Sequence, residues 1–84
     1  MIDMITEQST TIKRIFCEVL GVDESEVNDS TSYNSFKPWD SLKHLQLVSM
    51  YEDEFDIEFE MDDIIAMENF GLVKDIVTRY IQEK

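Results

Sequence analysis

Three stretches of this 84-residue chain carry apolar residues at helical spacing, and only one short stretch alternates as a strand would. A lone strand has no partner, so a core has to be built from helices. Ile12, Ile15, Phe16, Val19 and Leu20 follow the i, i+3, i+4, i+7, i+8 pattern of one helical face. That spacing predicts a first helix starting at Ile2 or Thr6 and running to Leu20, stopped by Gly21. Leu42, Leu45, Val48, Tyr51 and Phe55 predict a second helix from Asp40-Ser41 to Phe55, with Leu47 and Met50 widening its stripe. Val73, Ile76, Val77, Tyr80 and Ile81 predict a last helix, capped by Asn69. Between these two, Asp56 to Glu60 is expected as an extended linker, and Asp62 or Asp63 can cap a short helix through Ile64, Ile65 and Met67. The expected fold is all-α: a small four-helix bundle, with a short third helix, as a single domain over residues 1–84.

The connector from Gly21 to Trp39 is long for so small a bundle. Its Asn28-Asp29-Ser30-Thr31-Ser32 and Asn34-Ser35 runs favour turns. Such a connector is either functional or pinned by its own apolar residues, here Val22, Val27, Tyr33 and Phe36. One cysteine, Cys17, allows no intrachain disulfide, which suits a reducing, cytoplasmic setting. Met1-Ile2-Asp3-Met4 lacks the basic and apolar runs of a signal peptide, and no stretch is long enough for a membrane span.

A formal net charge of −12 argues against nucleic acid, whose phosphates would be repelled. The charge is uneven. Residues 41–51 hold only Lys43 and His44, whereas residues 52–63 hold eight acids and no base. A basic partner surface is therefore expected at the lower second helix and the linker after it. The rim at Ser41 would instead be read by shape and apolar contact.

Pro38-Trp39-Asp40-Ser41-Leu42 stands where the long loop enters the second helix. Either Asp40 or Ser41 can serve as the N-cap. A serine there is exposed beside the unpaired N–H groups of the first turn, which would favour an anionic phosphodiester. Asp40-Ser41-Leu42 resembles the Asp-Ser-Leu attachment site of acyl carrier proteins. The similarity continues through Leu45, Leu47, Val48, Tyr51, Glu52, Glu54 and Phe55, then Ile57 and Phe59, and into the closing helix from Phe70 to Ile81. It covers essentially the whole chain.

The resemblance implies a carrier and not an enzyme, with no catalytic residue and no metal site. Ser41 would receive 4′-phosphopantetheine from coenzyme A through a phosphopantetheinyl transferase. The thiol of that arm would hold acyl or aminoacyl groups as thioesters. Partners would be a loading enzyme and a downstream synthase or transferase. Asp40, Leu42, Leu45, Ser49, Glu52 and Asp53 would form the docking face, and the protein is expected to be a cytoplasmic monomer. The sequence departs from the housekeeping fatty-acid pattern where Pro38 and Trp39 replace a glycine and a small residue. It departs again at Lys43 and Gln46, where acids are common. These features resemble carriers of specialised metabolism. The alternative is an acidic helical adaptor that binds a basic protein without a prosthetic group and uses Asp40-Ser41 only as a cap.

Other residues are expected in plainer roles. His44 lacks an orienting acid and is expected as a solvated surface residue. Cys17 is expected as a packed or half-buried thiol. Asp56, Glu58 and Glu60 have calcium-loop spacing, but Met61 stands where that loop needs glycine. Met61, Ile64 and Met67 either line a wall around an acyl chain or fill the core. Trp39 is either a loop anchor or a contact for the arm or a partner.

Overall fold

The computed structural model describes residues 4–83. Four helices follow one another: α1 (Met4–Leu20), α2 (Ser41–Phe55), α3 (Met61–Ala66) and α4 (Phe70–Gln82). The expected start at Ile2 lies outside the described residues, while Thr6 is already inside α1. Gly21 ends α1 as expected, with a left-handed φ of +70° and its N–H on the Cys17 carbonyl at 2.8 Å. A residue with a side chain would be strained in that conformation. Helix α2 ends on the same device without glycine, because Asp56 adopts φ 53° and sends its N–H to Glu52.

Helix α1 packs against both α2 and α4. Ile12, Ile15 and Phe16 meet Leu47, Val48 and Tyr51 from α2 and Phe70, Val73 and Val77 from α4 in one apolar cluster. Among the described residues, no polar or charged side chain is buried. The rings of Phe16 and Phe70 lie 4.7 Å apart, and Trp39 meets the Phe16 ring edge-on at 5.0 Å.

The connector is pinned, in the manner its apolar residues suggest. Val27 is buried, and Val22, Tyr33 and Phe36 pack against the core. A single 3-10 turn over Glu24–Glu26, which the sequence reading lacks, shortens the path. The loop is then tied to the start of α4. Tyr33 N–H donates to the Glu68 carbonyl, Phe70 N–H to Thr31 and Gly71 N–H to Asp29, each at 2.9 Å. Lys74 adds an ion pair to Asp29 at 2.7 Å. Asn69 caps α4 as expected, accepting from the Leu72 N–H at 2.8 Å.

Two expectations need correction. Neither Asp62 nor Asp63 caps α3. The helix starts at Met61 with Glu60 in the cap position, and Glu60 makes no side-chain cap bond. Asp63 is drawn to α4 instead, pairing with Arg79 at 2.8 Å and accepting from the Tyr80 hydroxyl. The second correction is the buried face of α2. Leu42, Leu45 and Met50 are exposed, whereas Leu47, Val48 and Tyr51 are buried and His44 and Phe55 half-buried. Positions 44, 47, 48, 51 and 55 fall on one helical face. A histidine at the top of the stripe hides the true face in the sequence.

Candidate functional site

The junction ahead of α2 is held from inside. Trp39 is only 2% exposed. Its indole fills the space above Phe16, and Tyr33 meets it edge-on at 5.7 Å. Removing so large a buried ring would cost about 3–5 kcal/mol. Trp39 is therefore a loop anchor, and its ring is not available to a partner. The chain turns outward immediately after it. Asp40 is extended, and its Oδ1 accepts the Lys43 N–H at 2.8 Å while its carbonyl accepts the His44 N–H at 2.8 Å. The cap is thus made by Asp40, which leaves the hydroxyl of Ser41 outside it. Ser41 opens the helix in solvent.

Large apolar side chains on α2 and α3 stand exposed. Leu42 and Leu45 are 64% and 62% exposed on α2, and Met61 and Ile65 are 67% and 68% exposed on α3. Met61 and Ile65 are absent from the docking face drawn from the sequence, because nothing in the chain says that α3 is too short to bury both its faces. Lower on α2, Ser49 and Asp53 are exposed. Glu52 is half-buried, and its Oε2 accepts the Phe59 N–H at 3.0 Å. One of the three acids in the expected docking set, Glu52, therefore also fastens the linker to α2.

His44 is not a solvated surface residue. Its Nδ1 accepts the indole N–H of Trp39 at 3.0 Å, and its Nε2 lies 2.9 Å from the Ile64 carbonyl oxygen. It lines a cleft of about 280 Å³ together with Tyr33, Asn34, Ile64, Ile65, Met67 and Glu68. Met67 is buried at the floor of this region and Ile64 is half-buried. Of the three residues expected to wall an acyl chain or fill the core, Ile64 and Met67 do both, lining the cleft and packing in the core, whereas Met61 is exposed and does neither.

Neither candidate nucleophile is activated. Cys17 is buried, and that burial, reinforced by Glu24, pushes its thiol above the ordinary value and keeps it protonated. A larger concavity at the end of α1 is lined by Arg14, Glu18, Asp23, Glu24 and Glu26 and reaches Cys17. Both ring nitrogens of His44 are engaged. Among the described residues no group of His, Cys, Asp and Glu is placed to hold a metal ion, and no helix is long and apolar enough to cross a membrane.

The arrangement is an exposed hydroxyl at the start of a capped helix, with exposed apolar side chains at Leu42 and Leu45 and acids lower on the same helix. Residues 10–77 match the family model described as "Phosphopantetheine attachment site". The chain is 35% identical over 79 residues to an acyl carrier protein of Zymomonas mobilis, covering 94% of this chain and 96% of that one. The solution structure of a holo acyl carrier protein from Geobacter metallireducens superposes with a TM-score of 0.79 at 26% identity. That match covers 90% of this chain and 87% of the other.

Proposed function

The chain belongs to the acyl carrier protein family, and from that premise we propose that Ser41 is its attachment residue, in a carrier serving specialised biosynthesis. Its prosthetic group is covalently attached 4′-phosphopantetheine, and it is a carrier and not a catalyst. A phosphopantetheinyl transferase and acyl-handling enzymes are its partners. When attached, the group supplies a terminal thiol that holds acyl cargo as a thioester.

The observation that carries the assignment is the division of roles at the helix start. Asp40 supplies the cap, so Ser41 is free of that duty and exposed. A capping role alone, as in an acidic adaptor, is performed by Asp40 and leaves Ser41 unexplained. The site also fits the group. A phosphodiester on the Ser41 oxygen would stand near the positive end of the α2 dipole, which favours its negative charge. Lys37 and Lys43 flank it in the chain. The exposed Leu42, Leu45, Met61 and Ile65 offer partners an apolar surface, and Ser49 and Asp53 extend it down α2.

Specialised use is supported by Trp39 and Lys43. The buried indole fixes a bulky loop where housekeeping carriers have small residues. Lys43 puts a positive charge on the first turn, a repulsive element against enzymes built for a uniformly acidic helix.

Intact mass after incubation with coenzyme A, Mg²⁺ and a broad-specificity transferase tests the attachment. The expected result is a gain of one phosphopantetheine that disappears in Ser41→Ala. A gain that survives the substitution would move the attachment to another hydroxyl.

A further inference from the structure

His44 is the one histidine of the chain and Trp39 the one tryptophan. Their contact determines the state of the imidazole. An indole N–H can only donate, so Nδ1 of His44 is the acceptor at 3.0 Å. A backbone carbonyl can only accept, so the proton sits on Nε2, facing Ile64 at 2.9 Å. This neutral ring spans from the loop ahead of Ser41 to the end of α3. Ser41 and His44 are three residues apart on α2, which puts their Cβ atoms about 5–6 Å apart on neighbouring positions of one face. A group attached at Ser41 therefore stands beside the cleft that His44 lines with Tyr33 from the loop and Ile64, Ile65 and Met67 from α3.

We propose that His44 is a positioning residue for the carrier arm: its neutral Nε2–H tautomer clamps the end of α3 to the loop ahead of Ser41, and a proton on Nδ1 releases the clamp. The proposal rests on the assignment of Ser41 as the attachment residue. A protonated ring has two donors and no acceptor, so the indole N–H of Trp39 would face another donor. Trp39 is buried and packed edge-on against Phe16. Helix α3 is the weaker side: it has six residues, none of them buried, and no side-chain cap bond. Of the other titratable groups, Tyr33 and Glu68 share the cleft wall with His44. Asp40 and Lys43 precede it on α2, with the Asp40 carboxylate held by the Lys43 N–H. Asp63, next to Ile64, is turned toward Arg79 and Tyr80 on α4.

One tryptophan and one histidine make the test direct. In the unloaded full-length chain, NMR follows the His44 ring nitrogens, the Trp39 indole N–H and the Ile64 and Met67 methyls between about pH 8 and pH 5. The expected result is the Nε2–H tautomer at the upper end. The indole and both methyl signals then move with the same midpoint as the ring. In His44→Gln, whose amide can accept from one side and donate to the other, those signals stay flat. An Nδ1–H tautomer, or an indole that ignores the titration of the ring, overturns the proposal. Should His44→Gln fold poorly, the wild-type titration decides by itself.

The second readout is the rate of transferase modification of wild type divided by that of His44→Gln, which cancels the pH dependence of the transferase. This ratio is expected to change by about threefold or more across the midpoint that NMR finds for the ring, and a flat ratio overturns the positioning role. Failure of the Ser41 assignment would appear separately, as a mass gain that survives Ser41→Ala, with the unloaded titration unaffected.

Discussion

The hydroxyl of Tyr51 in α2 donates to the backbone carbonyl of Ile12 in α1 at 2.8 Å, and both residues are fully buried. Burial pushes the Tyr51 phenol well above its ordinary value, so the group stays a neutral donor. This bond ties α1 to α2 within the apolar cluster they share. Tyr51→Phe keeps the ring and removes only the donor, while the Ile12 carbonyl retains its place in α1. The expected cost is about 1 kcal/mol. For a chain of this size that corresponds to a fall in Tm of about 4–8 °C, read by thermal circular dichroism.

Asp40 performs a local task that can be separated from any part in recognition. Its Oδ1 caps α2 through the Lys43 N–H, so Asp40→Ala is expected to lose about 1 kcal/mol of stability. Asn is an equally good cap without the charge. Asp40→Asn is therefore expected to keep the Tm within a degree or two, a few tenths of a kcal/mol. If Asp40 also guides the transferase, the rate of Ser41 modification falls in both variants. A normal rate in Asp40→Asn would confine Asp40 to capping.

Helix α3 is fastened to α4 by an acid whose titration sets a pH window. Hydrogen bonds from Tyr80 and then Arg79 hold the Asp63 carboxyl below its ordinary value. A depressed folded-state pKa means that the contribution is complete above the unfolded value of about 3.9 and is lost as pH falls through the folded value. The difference in Tm between wild type and Asp63→Asn is expected to be constant from neutral pH down to about 5. It should shrink only in stronger acid. A difference that shrinks already near neutrality would assign the effect to another group.

The helices, their order and the Asn69 cap were legible because each rests on local chemistry: a 3.6-residue period, an Asx side chain, a glycine at a left-handed position. The exposed serine at the loop–helix junction was legible for the same reason. What escaped was decided by distant partners. Asp63 looks like a cap until α4 brings Arg79 and Tyr80 beside it. His44 looks like a surface residue until the loop folds Trp39 over it and α3 presents the Ile64 carbonyl. That single polar residue then displaced the apparent apolar stripe of α2 toward Leu42 and Leu45, which the fold leaves in solvent. The 3-10 turn at Glu24–Glu26 escaped because three polar residues carry no period.

Lys43 stands two residues after Ser41, in the first turn of a helix whose acidity is otherwise confined to its lower half. Enzymes of fatty-acid synthesis that dock on an acidic helix would meet it with like charge. Lys43→Glu is expected to raise the rate at which such enzymes modify or load the protein, with the larger effect at low ionic strength, where screening is weakest. The substitution places an acid near the positive end of α2, which favours the helix by about 0.3–1 kcal/mol, so a gain in rate would not be masked by unfolding. The measurement is the initial rate of acylation with fatty-acid and specialised enzymes side by side at two salt concentrations. Equal rates for wild type and Lys43→Glu with the fatty-acid enzymes would remove Lys43 from the determinants of partner choice and leave the shape of the Trp39 loop as the discriminating feature.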